Sequence, residues 1–240
     1  MRPQPCVMVL KTEVVPMPVT KFSWAALKEN IRKFGAIYLV GVLITLACTN
    51  LLWSMTRPRI PDDQSVTIYI ADEFSNPDAL NDVAAKMLEE GKAFDETLEE
   101  VAFYSLTYAD PTKDYTGSMV MATRLSTGEG DAYICNEFAL ANLQAGEAAI
   151  DLQPYLDAGW LAGLDIEPHQ LEIYEFNDAG EVVNVLGSYT GAIKLDNVNG
   201  LYNCGAMDNA GTYLVIAVNG TNIDTTLETV EVMLRELMED

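Results

Sequence analysis

The sequence predicts an α/β fold: a three-layer lobe with a mainly parallel sheet flanked by helices, plus a β-hairpin, preceded by one transmembrane helix. Three observations carry this expectation. A 19-residue run without charge stands near the N-terminus, strand and helix patterns then alternate three times, and a turn-linked strand pair and an amphipathic helix close the chain. The expected division is a cytoplasmic tail and juxtamembrane helix (1–34), a transmembrane helix (35–53), a linker (54–65) and an extracellular α/β domain (66–240).

The uncharged run, residues 35–53 (GAIYLVGVLITLACTNLLW), matches the ~30 Å hydrocarbon core of a bilayer at about 1.5 Å per residue. It is too long for the apolar part of a signal peptide, and it ends in Leu51-Leu52-Trp53 where cleavage needs small residues. A lipid anchor is the alternative, because Leu46-Ala47-Cys48 resembles the end of a bacterial lipobox. Against it, Thr45 replaces the usual Leu and the chain stays apolar beyond Cys48. Lys21, Lys28, Arg32 and Lys33 precede the run and only Arg57 and Arg59 follow it. The positive-inside bias places the N-terminus in the cytoplasm and the domain outside. Residues 22–34 read as a short interfacial helix, residues 1–20 as a disordered tail, and residues 57–63 (RPRIPDD) as a proline-stiffened linker.

In the domain, residues 66–71 (VTIYIA) read as a buried strand. Asn76-Pro77 opens a helix whose buried stripe is Leu80, Val83, Ala84, Met87 and Leu88, with Gly91 expected to end it. A second strand (100–107), a second helix (115–125), a third strand (131–135) and a helix over 137–144 follow. Residues 171–176 and 181–186 form a hairpin about the turn Asn177-Asp178-Ala179-Gly180. Residues 192–195 and 213–218 are further strands. Thr225 and Glu228 are spaced as a capping box for the last helix, which buries Leu227, Val230, Leu234 and Leu237.

The formal net charge of −22 is uneven: residues 1–60 carry 8 basic and 2 acidic side chains, and residues 61–240 carry 6 and 34. The outer domain therefore stands at −28 and repels polyanions, which excludes nucleic-acid binding through a basic patch. Its periodic apolar residues exclude disorder. The one histidine, His169, falls in a loop-like stretch after Pro168, with no nucleophile motif beside it. No Cys/His spacing suits zinc, no Walker or dinucleotide fingerprint is present, and Gly128-Glu129-Gly130-Asp131 lacks the Lys of a phosphate loop. No catalytic residue, metal ligand or cofactor is expected. Most acidic side chains read as a solvated surface; Asp95-Glu96 with Glu99-Glu100 is a candidate calcium cluster without EF-hand spacing. Cys135 and Cys204 are the cysteine pair of the outer domain, either joined as a disulfide or left free with Cys135 in the core.

Residues 125–143 (LSTGEGDAYICNEFALANL) and 148–161 (AAIDLQPYLDAGWL) resemble bacterial extracellular solute-binding proteins. Gly130-Asp131-Ala132 takes the place of that family's small-residue turn before a strand leading to the ligand cleft. Ile150-Asp151-Leu152-Gln153-Pro154-Tyr155-Leu156 takes the place of its following Leu-Asp-like phrase and short helix. The resemblance covers roughly residues 66–238 and implies ligand binding without catalysis. Family members have two lobes and, in Gram-positive bacteria, are usually lipid-anchored. This chain has length for one lobe and uses a helix.

In open α/β sheets ligands bind beyond the carboxyl ends of the strands. That rule selects Asp72, Glu73 and Phe74 after the first strand, Tyr108 after the second, and Asn136 and Glu137 after the third. Phe74 and Tyr108 are placed to stack on a ligand, and the three carboxylates favour a cation. The alternative for Asp72 and Asn136 is helix capping. The expected function is a membrane-anchored solute-binding or sensing module. A protein-interaction subunit of a membrane assembly ranks second, with an unidentified membrane protein as its partner, and a carboxylate hydrolase third.

Overall fold

The chain divides into two units, Met1–Pro58 and Arg59–Asp240. The structure is a computed structural model that describes residues 23–56, 60–112, 115–177 and 181–239. The expected tail at 1–20, linker residues Arg57, Pro58 and Arg59, and turn residues Asp178, Ala179 and Gly180 lie outside the described residues.

In the first unit, α1 (Trp24–Thr56) is a single helix of 33 residues, about 50 Å long. The expected interfacial helix and membrane helix are thus one element. No proline interrupts residues 24–56, and an i,i+4 ion pair between Lys33 and Glu29 at 2.8 Å supports the basic turn. Within α1, Ile31–Ser54 has a mean hydropathy of 2.0 and is long and apolar enough to cross a membrane. Two of its hydroxyls bond along the helix: Thr45 Oγ1 donates to Gly41 O at 2.9 Å and Ser54 Oγ to Leu51 O at 2.9 Å.

The second unit is built on six strands: β1 (Ser65–Asp72), β2 (Glu100–Thr107), β3 (Ala132–Asn136), β4 (Glu167–Phe176), β5 (Val182–Lys194) and β6 (Thr212–Ile216). They form one sheet in the order β2-β1-β3-β6-β5-β4. The first three strands are parallel, joined through α2 (Asn81–Phe94) and α3 (Thr116–Thr127), whereas β6, β5 and β4 add antiparallel to them and to each other. The sheet is therefore mixed. Helical crossovers make the parallel half, while a tight hairpin between β4 and β5 permits only antiparallel pairing.

Alternation along the strands sends side chains to two cores. Val66, Ile68 and Ile70 of β1, Ile134 of β3 and Leu214 and Ile216 of β6 pack with α2 and α7 (Ile223–Glu239). Tyr69, Ala71, Tyr133, Cys135 and Val215 face the opposite way, with Met121 of α3 and Leu140 and Leu143 of α4 (Glu137–Ala145). The short helices α5 (Gln153–Asp157) and α6 (Gly200–Asn203) fill connections, and Leu201 of α6 joins the first core.

Several sequence expectations need correction. Gly91 does not end its helix: α2 runs on to Phe94, and a Cβ at Gly91 would lie 2.7 Å from Leu98 Cδ2 and 2.9 Å from Thr229 Cγ2. The glycine permits close packing of α2 on α7. Asn222 rather than Thr225 caps α7, with Asn222 Oδ1 accepting from Thr225 N at 3.3 Å. Thr225 is buried and donates instead to Asp95 Oδ2 at 2.9 Å. The strands expected at 181–186 and 192–195 are one long strand, β5, which carries extra residues at three shifts in its register with β4. His169 lies in β4, not a loop, with its ring 4.8 Å from that of Tyr213.

The described cysteines, Cys48, Cys135 and Cys204, are free. Cys135 is fully buried on the α3/α4 side of the sheet, whereas Cys204 follows α6, which packs against α7 on the other side. A disulfide between them would have to cross the sheet. Burial, aided by the nearby Asp72 charge, pushes the Cys135 thiol up and keeps it protonated.

Candidate functional site

The ends of β1 and β3 and the loop entering β6 border an open surface cavity of about 510 Å³. Asp72, Glu73 and Phe74 line it from the end of β1, and Asn136, Glu137 and Phe138 from the junction of β3 with α4. Ala210 and Gly211 close it from the loop before β6. Five of the six residues selected from the sequence are thus brought together. Tyr108 is not among them: its side chain is 1% exposed in the second core. Its hydroxyl pairs with Ser118 Oγ at 2.9 Å and accepts from Asn142 Nδ2 at 2.9 Å. It supports the site from below and offers no stacking face.

Asn136 organises the cavity. Its Oδ1 accepts from Ala139 N at 3.0 Å and caps α4, while its Nδ2 donates to Asp72 Oδ1 at 3.0 Å and Tyr108 O at 2.9 Å. One amide therefore ties together the ends of all three parallel strands, and Tyr108 N donates to Asp72 O at 2.9 Å across the same corner. The capping alternative holds for Asn136. Asp72 is half-buried, accepts from Asn136 through one carboxylate oxygen, and lines the cavity.

Glu73 and Glu137 are exposed, and Phe74 is 72% exposed, as unusual for an aromatic side chain as for a core residue. Phe138 is a further exposed ring on the opposite wall. Among the described residues, no Lys or Arg lines the cavity. Sequence reading missed Phe138, Ala210 and Gly211. Phe138 follows directly on the selected Asn136-Glu137, so its neighbours were the signal. The loop at 210–211 arrives only because β6 inserts antiparallel beside β3, pairing Asn136 with Thr212.

At the other end of the parallel strands lies a second cavity of about 450 Å³, lined by Tyr69, Tyr104, Glu129 and Asp131 among others. Here the glycines of Gly128-Glu129-Gly130 serve the backbone. Gly128 (φ 71°) is the left-handed C-cap of α3, and Gly130 (φ 90°) lies where a Cβ would meet the Tyr69 ring at 2.7 Å. The Arg124 guanidinium sits 4.6 Å over that ring and donates to Tyr69 Oη at 2.6 Å and Glu129 Oε2 at 2.6 Å. Asp131 Oδ2 accepts from Thr67 N at 2.8 Å, which pins the start of β1, and burial raises its carboxyl above the ordinary value. Arg124 Nη1 and the Asp131 carboxylate are thus engaged within the fold, whereas Arg124 Nε is buried without a hydrogen-bond partner.

Of the candidate calcium cluster, Asp95 is committed to the fold. Asp95 accepts from Thr97 N and Oγ1, Asn222 Nδ2 and Thr225 Oγ1, at 2.7 to 3.0 Å. Among the described residues, no three His, Cys, Asp or Glu side chains group closely enough to hold a metal ion.

Compared with known proteins, the chain matches no family model, no curated protein and no solved structure. The assignment below rests on the chemistry of the cavity.

Proposed function

We propose that the chain is a membrane-anchored, extracellular solute-binding-like module whose cavity at the carboxyl ends of β1 and β3 takes a small organic cation. The observation that carries this reading is that Asp72, Glu73 and Glu137 line one cavity with two exposed rings, Phe74 and Phe138, and that no Lys or Arg among the described residues lines it. Carboxylates neutralise an ammonium, and aromatic faces accept its alkyl or quaternary substituents through cation–π contact worth about 0.5–2 kcal/mol each. The module acts by binding, without catalysis, and holds its ligand at the open edge of this α/β unit. The resemblance to extracellular solute-binding proteins supports the same reading, and the basic residues before the uncharged run 35–53 support an N-terminus in the cytoplasm.

The test is a thermal-shift screen of the full chain in detergent micelles against putrescine, spermidine, choline, glucose and calcium. A ligand present at about 100 times its Kd adds about 2.7 kcal/mol of stability. At least one organic cation is expected to raise the melting temperature, and Glu73→Ala or Glu137→Ala to abolish that rise without lowering the unliganded value. A response to calcium or glucose alone, or to none of the five, overturns the reading.

A further inference from the structure

The β4–β5 hairpin outgrows the sheet that carries it. Strand β5 has 13 residues but pairs with β6 only at Ile193 and Lys194, so from Val182 to Thr190 its one strand neighbour is β4. β4 is itself the last strand of the sheet. Leu152 N still donates to Thr190 O and Gln144 Nε2 to Glu172 O. The two-stranded ribbon with both edges open is the part beyond them, residues 173–176 with 182–187, an arrangement that is marginally stable in water on its own.

One face of this ribbon is apolar. Phe176 pairs with Val182 and Tyr174 with Val185, which puts all four side chains on the same side, and the rings of Tyr174 and Phe176 meet edge to face at 6.2 Å. Phe176, Val182 and Val185 are 42%, 52% and 49% exposed, and Val183 and Leu186, the extra residues at two register shifts, are exposed beside them. The ribbon is also embedded in charge of one sign. Between Arg124 and Lys194 the chain carries 12 Asp and Glu and not one Lys or Arg, and Glu172, Glu175 and Glu181 stand on the hairpin itself. Contiguous exposed apolar surface of this kind marks an interaction site.

We propose that this ribbon docks an extended, lysine- or arginine-bearing apolar segment of a partner protein, which adds as a strand to an open edge and covers the Tyr174–Phe176–Val182–Val185 face. Strand addition supplies backbone hydrogen bonds, the apolar face supplies buried area, and the ribbon glutamates select a basic partner. Charge argues against a second copy as the occupant, because two domains at −28 repel each other. The surface is separate from the cavity at the ends of β1 and β3 and stands whether or not that cavity binds a ligand.

The experiment replaces Val185, in the full chain in its native membrane, with a photo-crosslinking benzoylphenylalanine, and uses the exposed Phe94 on α2 as the control position. The expected result is an adduct at position 185 only, mapping to a segment of another protein in which Lys or Arg alternates with apolar residues. Its yield is expected to fall about tenfold or more in a Glu172→Lys/Glu175→Lys variant, with an unchanged melting temperature because both sites are exposed. Adducts to a second copy, to lipid, or to none overturn the proposal, as does an adduct insensitive to the charge reversal.

Discussion

Asn136 shows how much one side chain holds at the candidate site. Its amide caps α4 and spans the ends of β1, β2 and β3. Replacing a capping Asn by Ala costs about 0.5–2 kcal/mol, and here the two lost donor bonds add to that. Asn136→Ala is expected to destabilise the domain by about 2 kcal/mol in urea unfolding and to weaken organic-cation binding, whereas Glu137→Ala is expected to affect binding alone. Equal loss of stability in both variants would contradict this division. Two other carboxylates respond to pH with opposite signs. The Thr97 hydroxyl, the Thr97 amide and Thr225 hold Asp95 below the ordinary carboxylate value of 3.8. Its contribution is therefore present above that value and lost as pH falls through its folded pKa. Burial raises Asp131, so its cost to stability is absent in acid and grows as pH rises from about 4 through its folded pKa. Urea unfolding across the acid range is expected to show wild type losing stability relative to Asp131→Asn as pH rises, and relative to Asp95→Ala as pH falls.

At the scale of elements, the first half of the domain was legible in the sequence because each strand and helix announces its own period and its own punctuation. Residues 66–71 lie within β1, and the Asn76-Pro77 start leads into α2 through a short turn of 3₁₀ helix. What the sequence withheld depends on neighbours. Gly91 has the residue type of a stop signal, yet it continues α2 because α7 approaches there too closely for a side chain. Gly91→Val is expected to cost about 1–3 kcal/mol by overpacking against Leu98 and Thr229, and an unchanged urea midpoint would contradict that packing. Thr225-x-x-Glu228 has the spacing of a capping box, but Asp95 draws the Thr225 hydroxyl away and Asn222 takes the cap. Periodicity tells which face of a strand is buried and is silent on which strand lies beside it. For that reason the insertion of β6 between β3 and β5, and with it the Ala210-Gly211 wall of the cavity, was out of reach. Tyr108 failed for a similar reason: a residue just past a strand can turn inward, and Ser118 and Asn142 wait there for its hydroxyl.

At the scale of the whole molecule, the chain combines one helix long and apolar enough to cross a membrane with an acidic α/β unit that follows it. The proposed topology has its own check: protease added to intact cells is expected to degrade residues 61–240 and spare the N-terminal segment, and protection of the domain would reverse the assignment. The central claim is the cation cavity, and calorimetric titration of the full chain in micelles with spermidine and choline tests it most directly. Saturable binding of at least one of them by wild type is expected, weakened by added salt and lost in Glu73→Ala/Glu137→Ala while that variant keeps its melting temperature. Binding that survives the double substitution, or no binding of either cation by the wild-type chain, would contradict it.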